Sequence, residues 1–266
     1  MIELVSYDND VLCVRTASEQ NGQPIFWVYS YLVGDTLFDT GCGNTSNEFR
    51  SAISTREIGR IVISHAHEDH VGACSRLESE VPVLAPDPIH AALRSPPAIN
   101  DFFRFVWGQP EPIKSPLKLP DNLETERFRF SIVRLPGHTD SMIGLYDSER
   151  QWLFSADAVP FPSRKKLAMP DENIPMMLRT LEMIQQLDIS VLFDSHHGPI
   201  DRPHEHVQKR IDFLKETQSR VRRLYEEGLS IEDIVRSLNF EQPWYVDLTG
   251  GRFGVEHLVR SLIHDK

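Results

Sequence analysis

Short, mainly hydrophobic runs separated by polar turn formers fill the first forty residues. The runs VLCVRTAS, IFWVYSYLV and TLFDTG are rich in β-branched and aromatic residues, and turn formers such as Asn21-Gly22 separate them. This pattern predicts a meander of antiparallel strands. A polar, helix-compatible segment follows at NTSNEFRSAIST, and then the apolar run RIVIS, which is typical of a strand buried on both faces.

Strand-length apolar runs recur through the middle of the chain. They lie at VPVLAP, RFRFSIVRLP, MIGLYDS, QWLFSA and ISVLFDS. Between the last two, Met177, Leu181 and Ile184 recur at helical spacing and predict a helix from about Met176 to Leu187. The pattern is therefore mixed α and β, of the α/β or α+β class.

Residues 86–120 form a proline-rich stretch without a clear period. Its aromatic residues include Phe102, Phe103, Phe105 and Trp107. Irregular chain of this length inside a domain is more often a covering loop than a linker. We expect a loop that covers the functional site and offers an apolar wall to a substrate, although ordinary core packing of these rings is an equal alternative.

The strand pattern ends near residue 207, and three helices are predicted beyond it. The first is VQKRIDFLKETQSRVRRLYEEG, which ends at Gly228. Ser230 and Asp233 have the spacing of a capping box that opens the second, and VEHLVRSLI forms the third. We therefore predict a domain at 1–203 and a C-terminal helical region at 204–266.

Composition favours a soluble globular protein without a secretory signal. The chain is 40% hydrophobic and 25% charged, and no stretch approaches the ~20 apolar residues of a membrane span. The first ten residues lack the basic end and apolar middle of a signal peptide, so we expect a cytoplasmic protein. The cysteines Cys13, Cys42 and Cys74 lack CxxC spacing and are expected to be buried hydrophobic residues.

The net charge of −11 argues against a general nucleic-acid binder, which needs a basic face. One predicted helix carries a local basic excess, which we interpret as a solvated face. Its basic residues are Lys209, Arg210, Lys215, Arg220, Arg222 and Arg223. A small-molecule substrate is the expected partner, and a homodimer is compatible with the sequence.

Four potential metal ligands lie directly after the predicted strand RIVIS, in the segment SHAHEDH. Residues two apart point the same way in extended chain, so His65 and His67 can address one ion. A turn would bring Asp69 and His70 to a second ion. Imidazole and carboxylate together suit zinc, iron, manganese or cobalt rather than calcium.

Further candidates follow three other predicted strands. His138 comes after Gly137, which permits a sharp turn, and would supply a third nitrogen to His65 and His67. Asp157 follows QWLFSA, where bridging two cations would offset the cost of burying a carboxylate. His196 and His197 both follow ISVLFD and compete for the last position.

The remaining histidines have no second ligand type at metal spacing. They lie in the covering loop, the linker and the helical region, and we expect surface or packing roles for them. These are His90, His204, His206, His257 and His264.

The order of these ligands resembles that of the metallo-β-lactamase fold superfamily, over roughly residues 1–203. The resemblance implies a four-layer αβ/βα sandwich with two metal ions at one edge of the paired sheets. It assigns one ion to His65, His67 and His138, and the other to Asp69, His70 and His197. It also implies that Asp157 bridges the ions and that Asp39 supports the ligand loop from behind.

Two positions depart from the family pattern. Pro-Gly commonly precedes the last histidine, where this chain has Ser195-His196, so the choice of His197 rests on the following Gly198-Pro199 and His196 remains an alternative. Glycine usually precedes the bridging acid, where this chain has Ala156.

The resemblance implies a hydrolase that uses two divalent transition-metal ions, with zinc the first candidate and iron or manganese the alternatives. A hydroxide held between the ions would attack the substrate, and Asp69 would serve the leaving group as a catalytic acid. The helical region resembles that of glyoxalase II-like and quinolone-signal-response-like members, which favours an ester, thioester or lactone substrate.

Other functions stay open on sequence alone. A mononuclear iron dioxygenase acting on persulfides would need only the first-site histidines and Asp157. A signal-sensing protein could use an intact metal site without turnover. A nuclease would be supported only by the basic helix.

Overall fold

The structure is a computed structural model, and it describes residues 1–160 and 166–263. The chain divides into two compact units. The first comprises residues 1–134, 143–156 and 189–201, and the second comprises residues 135–142, 157–188 and those from 202 onward. The second unit is larger than the helical region predicted at 204–266, because it also takes two earlier segments of the chain.

A seven-stranded sheet dominates the N-terminal part of the first unit, and a short hairpin accompanies it. The strands are β1 Ile2–Tyr7, β2 Val11–Thr16, β3 Glu19–Gln20, β4 Gln23–Pro24, β5 Val28–Val33, β6 Thr36–Phe38, β7 Arg60–Val62, β8 Val83–Ala85 and β9 Leu117–Lys118. The sheet order is β1-β2-β5-β6-β7-β8-β9, antiparallel as far as β6 and parallel from there. β3 and β4 form the hairpin, whose turn at Asn21-Gly22 has the two positive φ angles of a type I′ turn, 54° and 76°.

A second, six-stranded sheet completes the first unit. Its strands, in spatial and chain order, are β10 Asn122–Glu124, β11 Arg129–Arg134, β12 Ile143–Asp147, β13 Trp152–Ala156, β14 Val191–Asp194 and β15 Gly198–Ile200. Only the β13 and β14 pair is parallel. Every residue of β13 and β14 is buried, as expected for strands covered on both faces.

Aromatic rings fill the space between the two sheets. Tyr31 of β5 makes edge contacts with Phe154 of β13 and Phe193 of β14, at centroid distances of 5.5 and 5.3 Å. Phe154 and Phe193 stack at 4.4 Å. Apolar burial and ring packing on this scale fix the two sheets against each other, and so hold the strand ends that carry the candidate ligands.

Four short helices belong to the first unit: α1 Ser46–Ile53, α2 Cys74–Leu77, α3 His90–Arg94 and α4 Asp101–Val106. Phe49 and Ile53 of α1 and Leu77 of α2 join Leu37 and Ile61 in one hydrophobic cluster. This cluster packs on the first sheet. Two strands of that sheet, β6 and β7, lead into the candidate site.

The prediction of an irregular covering loop at 86–120 is wrong in part, because α3, α4 and β9 lie there. Asn100 caps α4 by accepting the Phe103 amide at 2.9 Å. Pro96 and Pro97 separate two helices too short to show a hydrophobic period, which is why the pattern looked irregular.

The second unit contains the longer helices α5 Ile174–Gln186, α6 Pro203–Glu226, α7 Ile231–Leu238 and α8 Val255–Ile263. The predicted helices are confirmed to within a few residues. α6 buries Val207, Ile211 and Leu214, and Gly228 terminates it with a φ of 89°. Ser230 caps α7 by accepting the Asp233 amide at 3.1 Å, as the capping spacing predicted.

The basic residues of α6 do not form a common exposed face. Arg210 is fully buried, Lys215 pairs with Glu182 of α5 at 2.7 Å, and Arg222 donates to the Leu262 carbonyl at 3.1 Å. These basic side chains are therefore buried or engaged in contacts within the second unit. Within the described ranges, no helix combines the length and apolar character that a membrane crossing requires.

All three cysteines are buried, as predicted. Burial raises the pKa of the Cys13 thiol to about 12 and raises the pKa values of Cys42 and Cys74 as well. A thiol reacts through its thiolate, so at pH 8 these groups are protonated and shielded.

We expect the folded protein to be inert towards Ellman's reagent at pH 8 over the minutes in which a free thiol reacts. The same protein in guanidinium chloride should release one equivalent of chromophore for each of Cys13, Cys42 and Cys74. Rapid reaction of any cysteine in the folded state would contradict the burial described here.

Candidate metal centre

The ligand loop starts where β7 ends, and a buried carboxylate organises it. Asp39, just past the end of β6, accepts the Ser64 amide at 2.8 Å and the Ser64 hydroxyl at 2.7 Å. It also accepts the Nδ1 hydrogen of His70 at 2.8 Å. Asp39 is 1% exposed and takes a left-handed φ of 60°. The prediction that Asp39 supports the ligand loop is confirmed.

His65 and His67 point towards each other, as their spacing predicted. His65 Nε2 lies 3.1 Å from His67 Nδ1. The hydroxyl of Ser64 lies 2.9 Å from His65 Nδ1, and because it donates its own hydrogen to Asp39, it accepts the Nδ1 hydrogen of His65. Neighbouring donors of a tetrahedral zinc site stand about 3.4 Å apart, so this pair fits one ion.

Two backbone hydrogen bonds, which together we call the clamp, join the ligand loop to the loop after β6. Thr40 donates its amide to the His70 carbonyl at 2.8 Å, and Gly72 donates to the Gly41 carbonyl at 2.8 Å. A Cβ on Gly72 would lie 2.2 Å from backbone atoms of Cys42 and Gly43, so only glycine fits at this crossing. The clamp fixes the backbone on both sides of the histidines.

A second group of donors combines the ligand loop with the turn after β14. Asp69, His70 and His196 offer ligand atoms that all lie within 4.8 Å of one another. His70 Nε2 is 3.7 Å from Asp69 Oδ1, and His196 Nε2 is 3.6 Å from Asp69 Oδ2. The other ring nitrogens are held, His70 by Asp39 and His196 by the Trp27 carbonyl at 3.1 Å. The donor set, two nitrogens and a carboxylate, suits a transition metal.

The structure places His196, where the sequence analysis chose His197, beside Asp69 and His70. His197 Nδ1 instead donates to Asp194 Oδ1 at 2.8 Å. That carboxylate oxygen also accepts the amides of His196 and His197, at 2.8 and 2.9 Å. The capped turn therefore directs two adjacent imidazoles to different surroundings.

The second unit carries the other two predicted ligands, and they lie together. His138 Nε2 is 3.3 Å from Asp157 Oδ2. His138 Nδ1 donates to Glu172 Oε1 at 2.8 Å, a contact that no sequence motif indicated. Gly137 has a φ of 134°, and a Cβ there would lie 2.4 Å from the Met177 backbone of α5, so the predicted need for glycine is confirmed.

Trp107, an aromatic residue of the predicted apolar wall, lies beside His196 in the first unit. The Trp107 ring lies 6.2 Å from the His196 ring and 6.1 Å from the Phe26 ring. Phe103 is buried in the core, whereas Phe105 is 49% exposed. The stretch therefore serves both core packing and the surroundings of His196.

The other histidines are not part of any metal-binding group found among the described residues. His90 donates to the Ala85 carbonyl at 3.1 Å and His257 to the Gly251 carbonyl at 2.9 Å, both within their own neighbourhoods. His264 lies outside the described residues.

Comparison with protein families shows to which family this chain belongs. The family model described as the metallo-beta-lactamase superfamily matches residues 28–196, well over half of the chain. The chain belongs to the metallo-beta-lactamase superfamily. The α/β fold class predicted from sequence is confirmed, and the match spans the ligand loop, His138, Asp157 and His196.

Solved structures share the fold of this chain at low sequence identity. A metallo-beta-lactamase family protein from Thermus thermophilus has a TM-score of 0.67 and 19% identity, covering 95% of this chain and 93% of its own. A beta-lactamase domain protein from Burkholderia ambifaria has a TM-score of 0.70 and 14% identity, covering 98% and 86%.

Two curated relatives are similar to this chain in sequence. A "Beta-lactamase-like protein 2 homolog" from Caenorhabditis elegans is 24% identical over 82% of this chain and 73% of its own length. A "Hydroxyacylglutathione hydrolase" from Bdellovibrio bacteriovorus is 27% identical over 39% of this chain and 35% of its own.

Ala156, the last residue of β13, takes a left-handed φ of 48° and is fully buried. A Cβ in this region meets the following carbonyl at a cost of roughly 1–2 kcal/mol. Asp157 follows directly, so the strained residue sets the direction in which the chain leaves β13.

We expect Ala156→Gly to raise the free energy of unfolding by about 0.5–1 kcal/mol, because relief of the strain exceeds the entropic cost of glycine. Urea denaturation measures the change. The matched control is Ala158→Gly, another buried alanine whose φ is not positive, which should destabilise the protein. Equal destabilisation by both changes would show that Ala156 is unstrained.

Proposed function

We propose that this protein is a dinuclear metal-dependent hydrolase that acts on an ester, thioester or lactone. The observation that carries the proposal is the group formed by Asp69, His70 and His196, whose ligand atoms lie within 4.8 Å of one another. It offers a second ion a place of its own beside the His65 and His67 pair. By the ligand order of the superfamily, we assign His138 to the first ion and Asp157 to the position that bridges the two ions.

The tautomers within the first unit support metal binding. His65, His70 and His196 each give their Nδ1 hydrogen to an oxygen, of Ser64, Asp39 and Trp27 respectively. Their Nε2 atoms therefore carry the lone pair that a cation requires. Divalent cations bound here would activate water and polarise the carbonyl of the substrate. Zinc, iron and manganese all suit the donors.

Asp69 and Trp107 are the residues of this chain that we assign to the substrate. Asp69 is 7% exposed and stands between His70 and His196, where its carboxylate can hold a cation and carry a proton to the leaving group. The indole of Trp107, beside His196, offers an apolar surface for the acyl or ring part of an ester or lactone. The partial similarity to a hydroxyacylglutathione hydrolase supports a thioester within this class.

Element analysis and a substrate panel test the function together. The purified protein should hold two equivalents of transition metal and turn over thioesters, lactones or activated esters. His67→Ala should abolish turnover because it removes a donor from the first ion, whereas the surface variant His204→Ala should keep it. One tightly held iron with oxygen uptake on glutathione persulfide would instead identify a dioxygenase. A fully loaded protein without turnover would favour a sensing role.

A pair of neighbouring variants tests the last ligand. His196→Ala should lower the metal content by one equivalent, because it removes a nitrogen from the group with Asp69 and His70. His197→Ala should keep two equivalents and lower stability by about 1 kcal/mol through loss of its bond to Asp194. Element analysis after equilibrium dialysis measures the difference, and the opposite pattern would restore His197 as the ligand.

A further inference from the structure

Glu172 is a buried acid that the proposed reaction does not use. Its side chain is fully buried, and both of its carboxylate oxygens are occupied. Oε1 accepts the Nδ1 hydrogen of His138 at 2.8 Å, and Oε2 accepts the Met169 amide at 2.8 Å. Two bonds on opposite oxygens fix the plane of the carboxylate, and with it the direction in which His138 is held.

Three helices of the second unit fix Glu172 in turn. The Ser261 hydroxyl of α8 donates to the Glu172 carbonyl at 3.1 Å and accepts the Ile174 amide, the first of α5, at 2.8 Å. Arg210 of α6 is fully buried, and although burial lowers its pKa to about 10, the charge of Glu172 counters part of this shift. Glu172 therefore holds His138 with its carboxylate, while its main-chain carbonyl is tied to α5 and α8 through Ser261. Its charge also acts on Arg210 of α6.

The contact determines which nitrogen of His138 can bind a metal. A carboxylate can only accept, so Nδ1 carries the hydrogen and Nε2 carries the lone pair. Nε2 is also the atom that lies 3.3 Å from Asp157 Oδ2. Carboxylates behind a metal-binding imidazole orient the ring and raise its basicity.

We propose that Glu172 is a positioning residue for His138: by holding the Nδ1 hydrogen, it fixes the tautomer and ring plane in which Nε2 binds the cation. The helical part of the second unit thereby contributes to metal affinity through Glu172. This inference rests on the metal-dependent function proposed above.

The test needs variants that change the contact between Glu172 and His138 without unfolding the protein. Glu172→Ala would leave the buried Arg210 without its acid and is expected to destabilise the protein strongly. Two other changes are milder. Glu172→Gln has nearly the same shape and keeps an oxygen for the Nδ1 hydrogen, although it also removes the charge near Arg210. The double change Glu172→Met with Arg210→Met removes both charges. The matched control is Glu182→Gln on α5, an acid paired with Lys215 at the surface.

Two measurements are made on folded protein, as judged by circular dichroism. In the metal-free protein, ¹⁵N NMR of labelled histidine should show His138 with its hydrogen on Nδ1, and a mixture of tautomers in the double variant. Competition with a chromogenic chelator should show zinc affinity at one site lowered about 10- to 100-fold in the double variant. Glu172→Gln should keep the tautomer and give an intermediate affinity, and Glu182→Gln should match the wild type.

A folded double variant with the tautomer and zinc affinity of the wild type would overturn the positioning role and leave the proposed function intact. Should the double variant not fold, Glu172→Gln decides, since a zinc affinity equal to that of the wild type would contradict the proposal. A wild-type protein that binds neither zinc, iron nor manganese would overturn the proposed function, and the inference with it.

Discussion

The candidate site depends on one buried carboxylate that accepts three hydrogen bonds. Asp39 joins the end of β6 to the Ser64 amide, the Ser64 hydroxyl and the His70 ring. A carboxyl group at 1% exposure would be unfavourable without such partners, so the three bonds offset the cost of burying it. The same bonds set the direction of His65, through Ser64, and of His70. Stability and ligand geometry therefore have a common origin.

Much of this arrangement follows from local sequence. Buried strands appear as apolar runs, and a histidine or aspartate directly after such a run lies where the strand ends, as His65 and Asp157 do. The helices α5, α6 and α8 have a clear 3.6-residue period. The supporting role of Asp39 was also predictable, from the resemblance of its segment, residues 37–41, to the superfamily pattern.

Other parts depend on contacts that no local pattern records. His196 and His197 are adjacent and chemically identical. Their directions differ because the His197 ring donates to Asp194, whereas the His196 ring donates to the Trp27 carbonyl. Glu172 meets His138 across 34 residues of chain and carries no motif. The helices α3 and α4 are too short for a hydrophobic period, and prolines lie between them, so tertiary packing rather than propensity decides their form.

The crossing of Gly72 with Cys42 and Gly43 has a consequence for how this scaffold can diversify. Because the two backbones touch at Gly72, this position cannot gain a side chain without separating the two loops. The region between β8 and β9 is tied to the same loop, because the Trp107 carbonyl accepts the Asn44 amide at 3.1 Å. Altered selectivity in that region is therefore expected from side-chain substitution rather than from exchange of the whole segment.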